Sequence, residues 1–476
     1  MLLLALLGVP AVAAVVAYAL PAPAARAAWL GLAASAHLAL VGVAWIAPPA
    51  PLFAGWLALD PLGLVVLSTV SGLFAVVAWY AVGYLRRASP RGGRAFASCL
   101  LAFQAAATLV AVSHHFALLW VGLEGTTLAV APLIFHRHDR RSLEAVWKYL
   151  VISSVGIALA LLGVFFLATA QVGAPGGRPL VLDDLVSGAA RLQPAWLKAA
   201  FIFLLVGFGT KMGLAPMHTW KPDTYGEAPP LVGGLMAGAL TSCAFLGLAR
   251  ITQVAVAAGV GPFVRPLLLG FGLLSLVVAA AFLIGQTDLR RLLAYSSVEH
   301  MGLLVLGLGL GGLGSYGAVL HMVNNACVKG VMFLAVGNVL LSAGEGPVPV
   351  LTGALRRTPA SGLLLLVGLF AVTGSPPFGL FLSEFAIVSG AFQGGHYVIA
   401  FAVLALLAVI FVSLSARILD AVYGPVPAAA RVAESPWLVA GPAALALVAL
   451  MLGVFIPGPL FRALADGAQA LGGWAP

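Results

Sequence analysis

Charge is what this chain has least of. Lys and Arg number 24 and Asp and Glu 15 in 476 residues, so 8% of the chain is charged against 62% hydrophobic. A soluble globular domain carries roughly 25% charged residues, and the shortfall excludes an ordinary water-soluble fold. Cysteine is scarce too. Cys99, Cys243 and Cys327 lie singly in apolar runs without Cys-x-x-Cys spacing, which excludes a disulfide framework and a thiolate zinc site. Contiguous basic stretches are missing as well. The net charge of +9 is scattered over short loops, so it forms no stripe that would bind nucleic acid. There is no glycine-rich phosphate loop, dinucleotide fingerprint or nucleophile triad. His114-His115 and His136-Arg137-His138 have no ligand partners at metal-binding spacing. These residues give the chain no redox or metal centre of its own.

Long apolar runs are what the chain does have. They recur from end to end and predict an all-α, polytopic membrane protein with about fourteen transmembrane helices. Met1–Leu20 lacks a basic leader and runs straight into a second apolar segment, so a first spanning helix is expected rather than a cleaved signal. The longest loop, Gly173–Pro194, has the composition for a short hairpin at Leu180-Val181-Leu182. Arg86, Arg87, Arg91 and Arg94 fall on the same side as Arg137, Arg140, Arg141, Arg290, Arg291, Arg356, Arg357, Arg417 and Arg431. The positive-inside rule makes that side cytoplasmic and puts both termini on the periplasmic or external face. The chain divides into N-terminal helices over 1–94, a repeat over 95–253, a second repeat over 265–422, and a last helix with its tail over 437–476.

The few polar groups inside these runs carry the functional information. Lys211 stands in Gly209-Thr210-Lys211-Met212-Gly213-Leu214-Ala215-Pro216-Met217-His218. A lysine at bilayer depth costs roughly 2.5–3.5 kcal/mol even on lenient scales, so it is a functional residue by default. Gly213 and Pro216 break the helix expected over 196–220, and such a break is tolerated only where it lines protein or water. A second break, Gly374-Ser375-Pro376-Pro377, precedes Glu384 in the helix expected over 360–390. Paired interruptions point to two inverted five-helix repeats, the fourth to eighth and ninth to thirteenth helices, with the seventh and twelfth broken. Glu384 then mirrors Lys211.

Glu124 lies mid-helix and is read as the charge partner of Lys211, their separation setting its proton affinity. Glu144 and Lys148, four apart, are either a helix-entry bridge or the cytoplasmic mouth of a path. His218 falls on the Lys211 face if the helix resumes after the break, as a relay or as a satisfied core histidine. Lys221, Asp223 and Glu227 are assigned to the cytoplasmic surface, as turn formers or subunit contacts. His321, Asn325 and Lys329, at i, i+4 and i+8, make one polar stripe. A mid-depth lysine exceeds what helix-to-helix glue requires. His300 opens the helix expected over 292–310. Glu124, Lys211, His218, His321, Lys329 and Glu384 thus alternate acids and bases through the bilayer centre, as a water-bridged proton wire needs.

At these residues the chain resembles the antiporter-like subunits shared by respiratory complex I, membrane-bound [NiFe] hydrogenases and Mrp-type Na+/H+ antiporters. The resemblance runs over roughly residues 58–425. It rests on Glu124, Gly209-Thr210-Lys211 with Pro216-Met217-His218-Thr219-Trp220, Glu227-Ala228-Pro229-Pro230, Lys329, and Ser375-Pro376-Pro377 with Ser383-Glu384-Phe385. Trp147-Lys148-Tyr149, the run Ala294 to Gly302 containing His300, and His321-Met322-Val323-Asn324 are most similar to the hydrogenase-4 component F type.

This resemblance implies proton translocation along a central axis, driven by electron transfer in partner subunits. It implies other membrane-arm subunits and a soluble redox module as partners, in a bacterial or archaeal inner membrane. Iron–sulfur clusters, a [NiFe] centre, flavin or quinone belong to those partners, with no cofactor in this chain. By carry-over Glu124 and Lys211 match the family's glutamate–lysine pair, Lys329 its central lysine and Glu384 its terminal acid. Two departures stand out. Leu240-Thr241-Ser242-Cys243-Ala244 has no base where complex I relatives carry one, and Asn325 stands where relatives often have histidine. Water would have to bridge both places. The alternative readings are a cation/proton antiporter or ion-coupled inorganic-carbon uptake subunit without a redox partner, and a membrane anchor that has lost transport.

Overall fold

A computed structural model describes residues 1–87, 93–171, 180–343, 352–425 and 432–473. It is 84% helical, with no strand among the described residues. In chain order the helices are α1 (Leu2–Ala19), α2 (Pro23–Ile46), α3 (Pro61–Arg87), α4 (Gly93–Val112), α5 (Phe116–Ile134), α6 (Arg140–Ala170), α7 (Leu182–Ser187), α8 (Pro194–Met212), α9 (Trp220–Glu227) and α10 (Pro230–Leu235). They continue as α11 (Thr241–Ala257), α12 (Gly261–Leu283), α13 (Leu289–Leu310), α14 (Gly312–Ala343), α15 (Ala354–Arg357), α16 (Pro359–Val372), α17 (Gly379–Gln393), α18 (Tyr397–Tyr423), α19 (Pro436–Val454) and α20 (Gly458–Ala470). A π-helical turn, Met236–Leu240, joins α10 to α11.

Among the described residues, thirteen helical stretches are long and apolar enough to cross a membrane. Helices α16 and α17 are each too short, but in succession they supply one more pass, as expected for a broken helix. Burial separates centre from rim. The most apolar windows of Pro230–Ala257 and Leu289–Leu310 are 100% buried, whereas that of Tyr397–Tyr423 is only 22% buried. The inner helices α11, α13 and α14 bury polar residues such as Arg250, Glu299, His300, His321 and Lys329, and the outer ones turn bare apolar faces outward. Close approach is built on small residues. Gly272 of α12 faces Gly302 of α13, and a Cβ on either would come within 2.8 Å of the other's carbonyl oxygen.

The first break differs from its expected form. The helix stops at Met212, because Gly213 takes a left-handed φ of +76° as its C-cap and Pro216 has no N–H to continue the ladder. It resumes only as the eight residues of α9. Trp220 Nε1 donates to the Thr210 carbonyl (2.9 Å) and stitches the two halves together. The second break runs from Thr373 to Phe378, with Gly374 at φ +61°.

Two other expectations need correction. Asp288 accepts from the N–H groups of Arg290 (2.8 Å) and Arg291 (3.3 Å) and so starts α13 at Leu289, which leaves His300 in mid-helix rather than at its opening. The hairpin at Leu180–Leu182 does not form. Leu180 and Leu182 are laced to the His114–Phe116 turn, Val181 makes a lone bridge with His115, and the chain enters α7. The rest of that loop, 172–179, lies outside the described residues, as do Arg91 and Arg431. The amphipathic α20 was not foreseen at all, and it packs against α3 and α14.

Candidate functional site

Three lysines are wholly buried: Lys211 at the end of α8, Lys221 in α9 and Lys329 in α14, each 0% exposed. Among the described residues none of them makes an ion pair with a carboxylate. Each ammonium donates to hydroxyl groups instead. Lys211 donates to Thr127 Oγ1 of α5 and to the Tyr149 hydroxyl of α6 (3.1 Å). Lys221 donates to Ser297 Oγ (3.0 Å) and Lys329 to Ser296 Oγ (2.7 Å), adjacent residues of α13. A hydrogen bond to a charged group is worth about 1.5–3 kcal/mol. That offsets only part of the several kcal/mol lost by burying an ion, so these positive charges are held by dipoles with no counter-charge in contact.

Helix α13 links the groups. Ser296 accepts from Lys329 and donates to Glu299 Oε2 (3.2 Å). One turn on, His300 Nδ1 shares a proton position with His321 Nε2 of α14 (3.0 Å), and His321 Nδ1 does so with Ser383 Oγ of α17 (3.0 Å). Glu384 follows Ser383 and is 9% exposed. His300, His321 and Glu384 each offer a ligand atom, all within 4.8 Å of one another. The metal-free sequence reading had no means to see this, since the three residues come from three helices.

The stripe of His321, Asn325 and Lys329 is buried throughout, at 1% exposure or less, but its members turn to different partners. Asn325 Nδ2 donates to the Ala237 carbonyl (3.3 Å) inside the π-turn. That turn lies directly before the stretch lacking a base. A π-turn leaves backbone groups free of the regular ladder, and Asn325 answers one of them. Asn325 Oδ1 is unpartnered.

Glu124 and Lys211 make no direct bond among the described residues. Glu124 is half-buried and lies close enough for its charge to act on both Lys211 and Tyr149, but Thr127, one turn along α5, takes the direct bond. His218 sits in the break, before α9 begins, so the helix does not bring it onto the Lys211 face. Its ring stands 6.3 Å from those of Phe282 and Tyr295, and its Nδ1 has no partner among the described residues. Glu144 and Lys148 form an i,i+4 pair (2.7 Å) that extends to Asp223 (2.8 Å), itself paired with Arg291 (3.1 Å). These four residues line a polar cavity of about 260 Å³ open to the surface.

The two breaks share one device. Gly213 and Gly374 both take positive φ, and in each case the space a side chain would fill holds an ionisable tip. A Cβ at Gly213 would lie 3.0 Å from Lys221 Nζ, and one at Gly374 would lie 2.7 Å from Glu384 Cδ. In this respect Lys221 stands to Gly213 as Glu384 stands to Gly374.

Sequence reasoning missed Lys221 and Glu299. Lys221 precedes a proline in a polar stretch and reads as a loop residue. It is buried because α9 folds inward against α6 and α13. Glu299 could have been found, since it is an ionisable residue in an apolar helix, the same signal that singled out Glu124.

A second buried polar node lies outside this row. Arg250 (1% exposed) donates to the carbonyls of Ser113 and Ala111 (3.2 Å) and to Asp60 Oδ1 (3.0 Å). Burial opposes the Asp60 charge, yet Arg250, His114 and the Gly63 N–H together hold its carboxyl well below the usual carboxylate range.

Comparison with known proteins bears on this arrangement. Residues 113–410 match the family profile described as "NADH:quinone oxidoreductase/Mrp antiporter, TM". The chain is 34% identical over 314 residues to a hydrogenase-4 component F homolog of Methylacidiphilum infernorum, covering 65% of each protein. It is 34% identical over 353 residues to NADH-quinone oxidoreductase subunit N of Desulforudis audaxviator, covering 72% of this chain and 68% of that one. The chain thus spans about two thirds of the length of these curated relatives. A chain of an archaeal respiratory membrane complex, the membrane-bound sulfane sulfur reductase, superposes with a TM-score of 0.87 at 21% identity, covering 98% of this chain and 97% of that one.

Proposed function

The chain belongs to the NADH:quinone oxidoreductase/Mrp antiporter transmembrane family, and from that membership we propose that it is the proton-translocating, antiporter-like subunit of a redox-driven complex of hydrogenase-4 or complex I type. The observation that carries this reading is the set of three buried lysines bonded to hydroxyls and to no carboxylate. A structural ion pair would be neutral and closed. A lysine held by hydroxyl dipoles can lose its proton to a neighbour without leaving a buried carboxylate unpaired.

In this reading protons enter at the cavity of Glu144, Lys148, Asp223 and Arg291, which the arginine-rich loops assign to the cytoplasmic side. Lys211, with Tyr149 and Thr127, is the first carrier, and movement of Glu124 toward or away from it changes which of its forms is favoured. Lys221, Ser297, Ser296 and Lys329 form the middle, with Glu299 as the acid beside Lys329. His300, His321 and Ser383 lead to Glu384 as the exit group. Water bridges the steps that side chains do not span, including the one at Asn325. Helices α4–α11 and α12–α18 act as two inverted repeats with opposed breaks. Electron transfer, with its iron–sulfur, [NiFe], flavin or quinone groups, belongs to partner subunits.

The test is proton uptake by the intact complex in proteoliposomes, driven by its own electron donor. Lys211→Ala should abolish uptake while the complex still assembles. Wild-type uptake in that variant refutes the proposal. Na+/H+ exchange that persists without any redox substrate assigns the chain to a cation antiporter instead.

A further inference from the structure

We propose that His300, His321 and Glu384 form a binding site for one divalent transition-metal ion of the Zn2+ type, and that an ion bound there closes the row of proton-bearing groups.

Two imidazoles and one carboxylate are a donor set suited to zinc, with a fourth position left for water. The spacing suits it as well. Zinc–nitrogen bonds of about 2.0–2.1 Å in a tetrahedron place ligand nitrogens about 3.3–3.4 Å apart, and His300 Nδ1 and His321 Nε2 stand 3.0 Å apart. An ion replacing their shared proton would need to part the rings by only a few tenths of an ångström. The other nitrogen of His321 is already fixed by Ser383 Oγ at 3.0 Å. Metal-bound histidines are habitually oriented by such an outer partner.

The third ligand is poised without a partner. Glu384 is 9% exposed, its Oε1 accepts no hydrogen bond among the described residues, and it offers an oxygen within 4.8 Å of a nitrogen of each ring. His300 is wholly buried and its Nε2 also lacks a partner among the described residues. Buried polar atoms are rarely left so. Gly374 backs onto Glu384, and beside it Thr373–Ser375 are half-buried and Pro376 and Pro377 exposed. A bound cation would hold both imidazole lone pairs and the carboxylate, leaving no proton acceptor between Glu299 and the break.

The site itself is independent of the transport reading. The closure rests on it, and Lys211→Ala tests that reading with no zinc present, so the two failures are distinguishable. Equilibrium dialysis of the full chain in nanodiscs against zinc alone should give one bound ion. His300→Gln, His321→Gln and Glu384→Gln should each weaken binding by more than the roughly 10–100-fold typical of losing a ligand's outer partner. His138→Ala and His396→Ala should not change it. Zinc X-ray absorption on the wild-type chain gives the same answer should the variants misfold: a nitrogen- and oxygen-only shell with two imidazoles supports the site. No bound zinc, zinc retained in all three variants, or a sulfur ligand overturns it and leaves the gap to water. In wild-type proteoliposomes proton uptake should fall with the binding midpoint. Uptake that persists at full occupancy overturns the closure.

Discussion

Gly374→Ala tests the exit group without touching an ionisable residue. Gly374 has φ +61°, and a Cβ there would sit 2.7 Å from Glu384 Cδ and 3.0 Å from Oε1. Ordinary carbon contacts fall at about 3.5–4.0 Å, so the carboxyl must retreat by roughly 1 Å. The left-handed backbone adds roughly 1–2 kcal/mol of strain for any residue with a Cβ. Gly395→Ala separates the two effects, because Gly395 has φ +75° with nothing within 4 Å of the added carbon. Both variants should lose thermal stability through the backbone strain, Gly374→Ala more than Gly395→Ala because it also displaces Glu384. They should differ in transport. A displacement of about 1 Å at a reacting group can cost about 10²-fold in rate, so donor-driven proton uptake in proteoliposomes should fall by about that factor in Gly374→Ala and hold near wild type in Gly395→Ala. Equal uptake in the two variants would refute the reasoning, whichever level they shared.

Lys221→Met should lower uptake by at least about 10²-fold, the low end for removing a positioned proton carrier. A surface role for Lys221 would leave uptake unchanged. Tyr149→Phe keeps the ring 5.3 Å from Lys211 Nζ and removes only its hydroxyl, at about 1.5–3 kcal/mol. The Thr127→Val/Tyr149→Phe double variant should pump as poorly as Lys211→Ala, measured in the same assay. Asp60→Asn should destabilise the fold by about 3 kcal/mol at neutral pH, since it leaves the buried Arg250 without its counter-charge. The Asp60 carboxyl is depressed in the folded state, so its contribution is present above the unfolded value of about 3.9 and is lost as pH falls below it. The gap in melting temperature between wild type and Asp60→Asn should accordingly narrow between pH 7 and pH 3. A gap that widens on acidification refutes the assignment.

Hydropathy made the helices legible because bilayer thickness imposes length and composition together. The passes, the two breaks and the buried status of Lys211, Lys329 and Glu384 follow from that constraint. What the sequence hid is pairing. Glu124 and Lys211 look like an ion pair by charge alone. Thr127, one turn from Glu124, takes the bond, and no charge-based pattern singles out a threonine. Lys221 was hidden for a different reason. Its neighbours Pro222, Asp223 and Thr224 carry the composition of a surface turn, and only the inward fold of α9 against α6 and α13 buries it. His300 and His321 are 21 residues apart, a separation without periodicity, and they meet because Gly311 and Gly312 turn α13 back onto α14.

The correspondence between the breaks changes how the row should be divided. Matching charges by sequence pairs Lys211 with Glu384, one before its break and the other after. Matching by geometry pairs Lys221 with Glu384, since each tip occupies the space a side chain would fill at a positive-φ glycine. Lys211 then belongs to the entry side, with Tyr149 and Thr127. Lys221 and Glu384 become the two groups whose position is fixed by a break, and between them lies the middle turn of α13, with Ser296, Ser297, Glu299 and His300. A break frees backbone groups and lets a segment shift without unwinding its neighbours. Coupling to a distant redox event needs a displacement that alters contact between fixed partners. Movement at either break would alter one contact of this middle turn, Lys221 to Ser297 or Glu384 toward the histidine pair, and leave α13 itself in place.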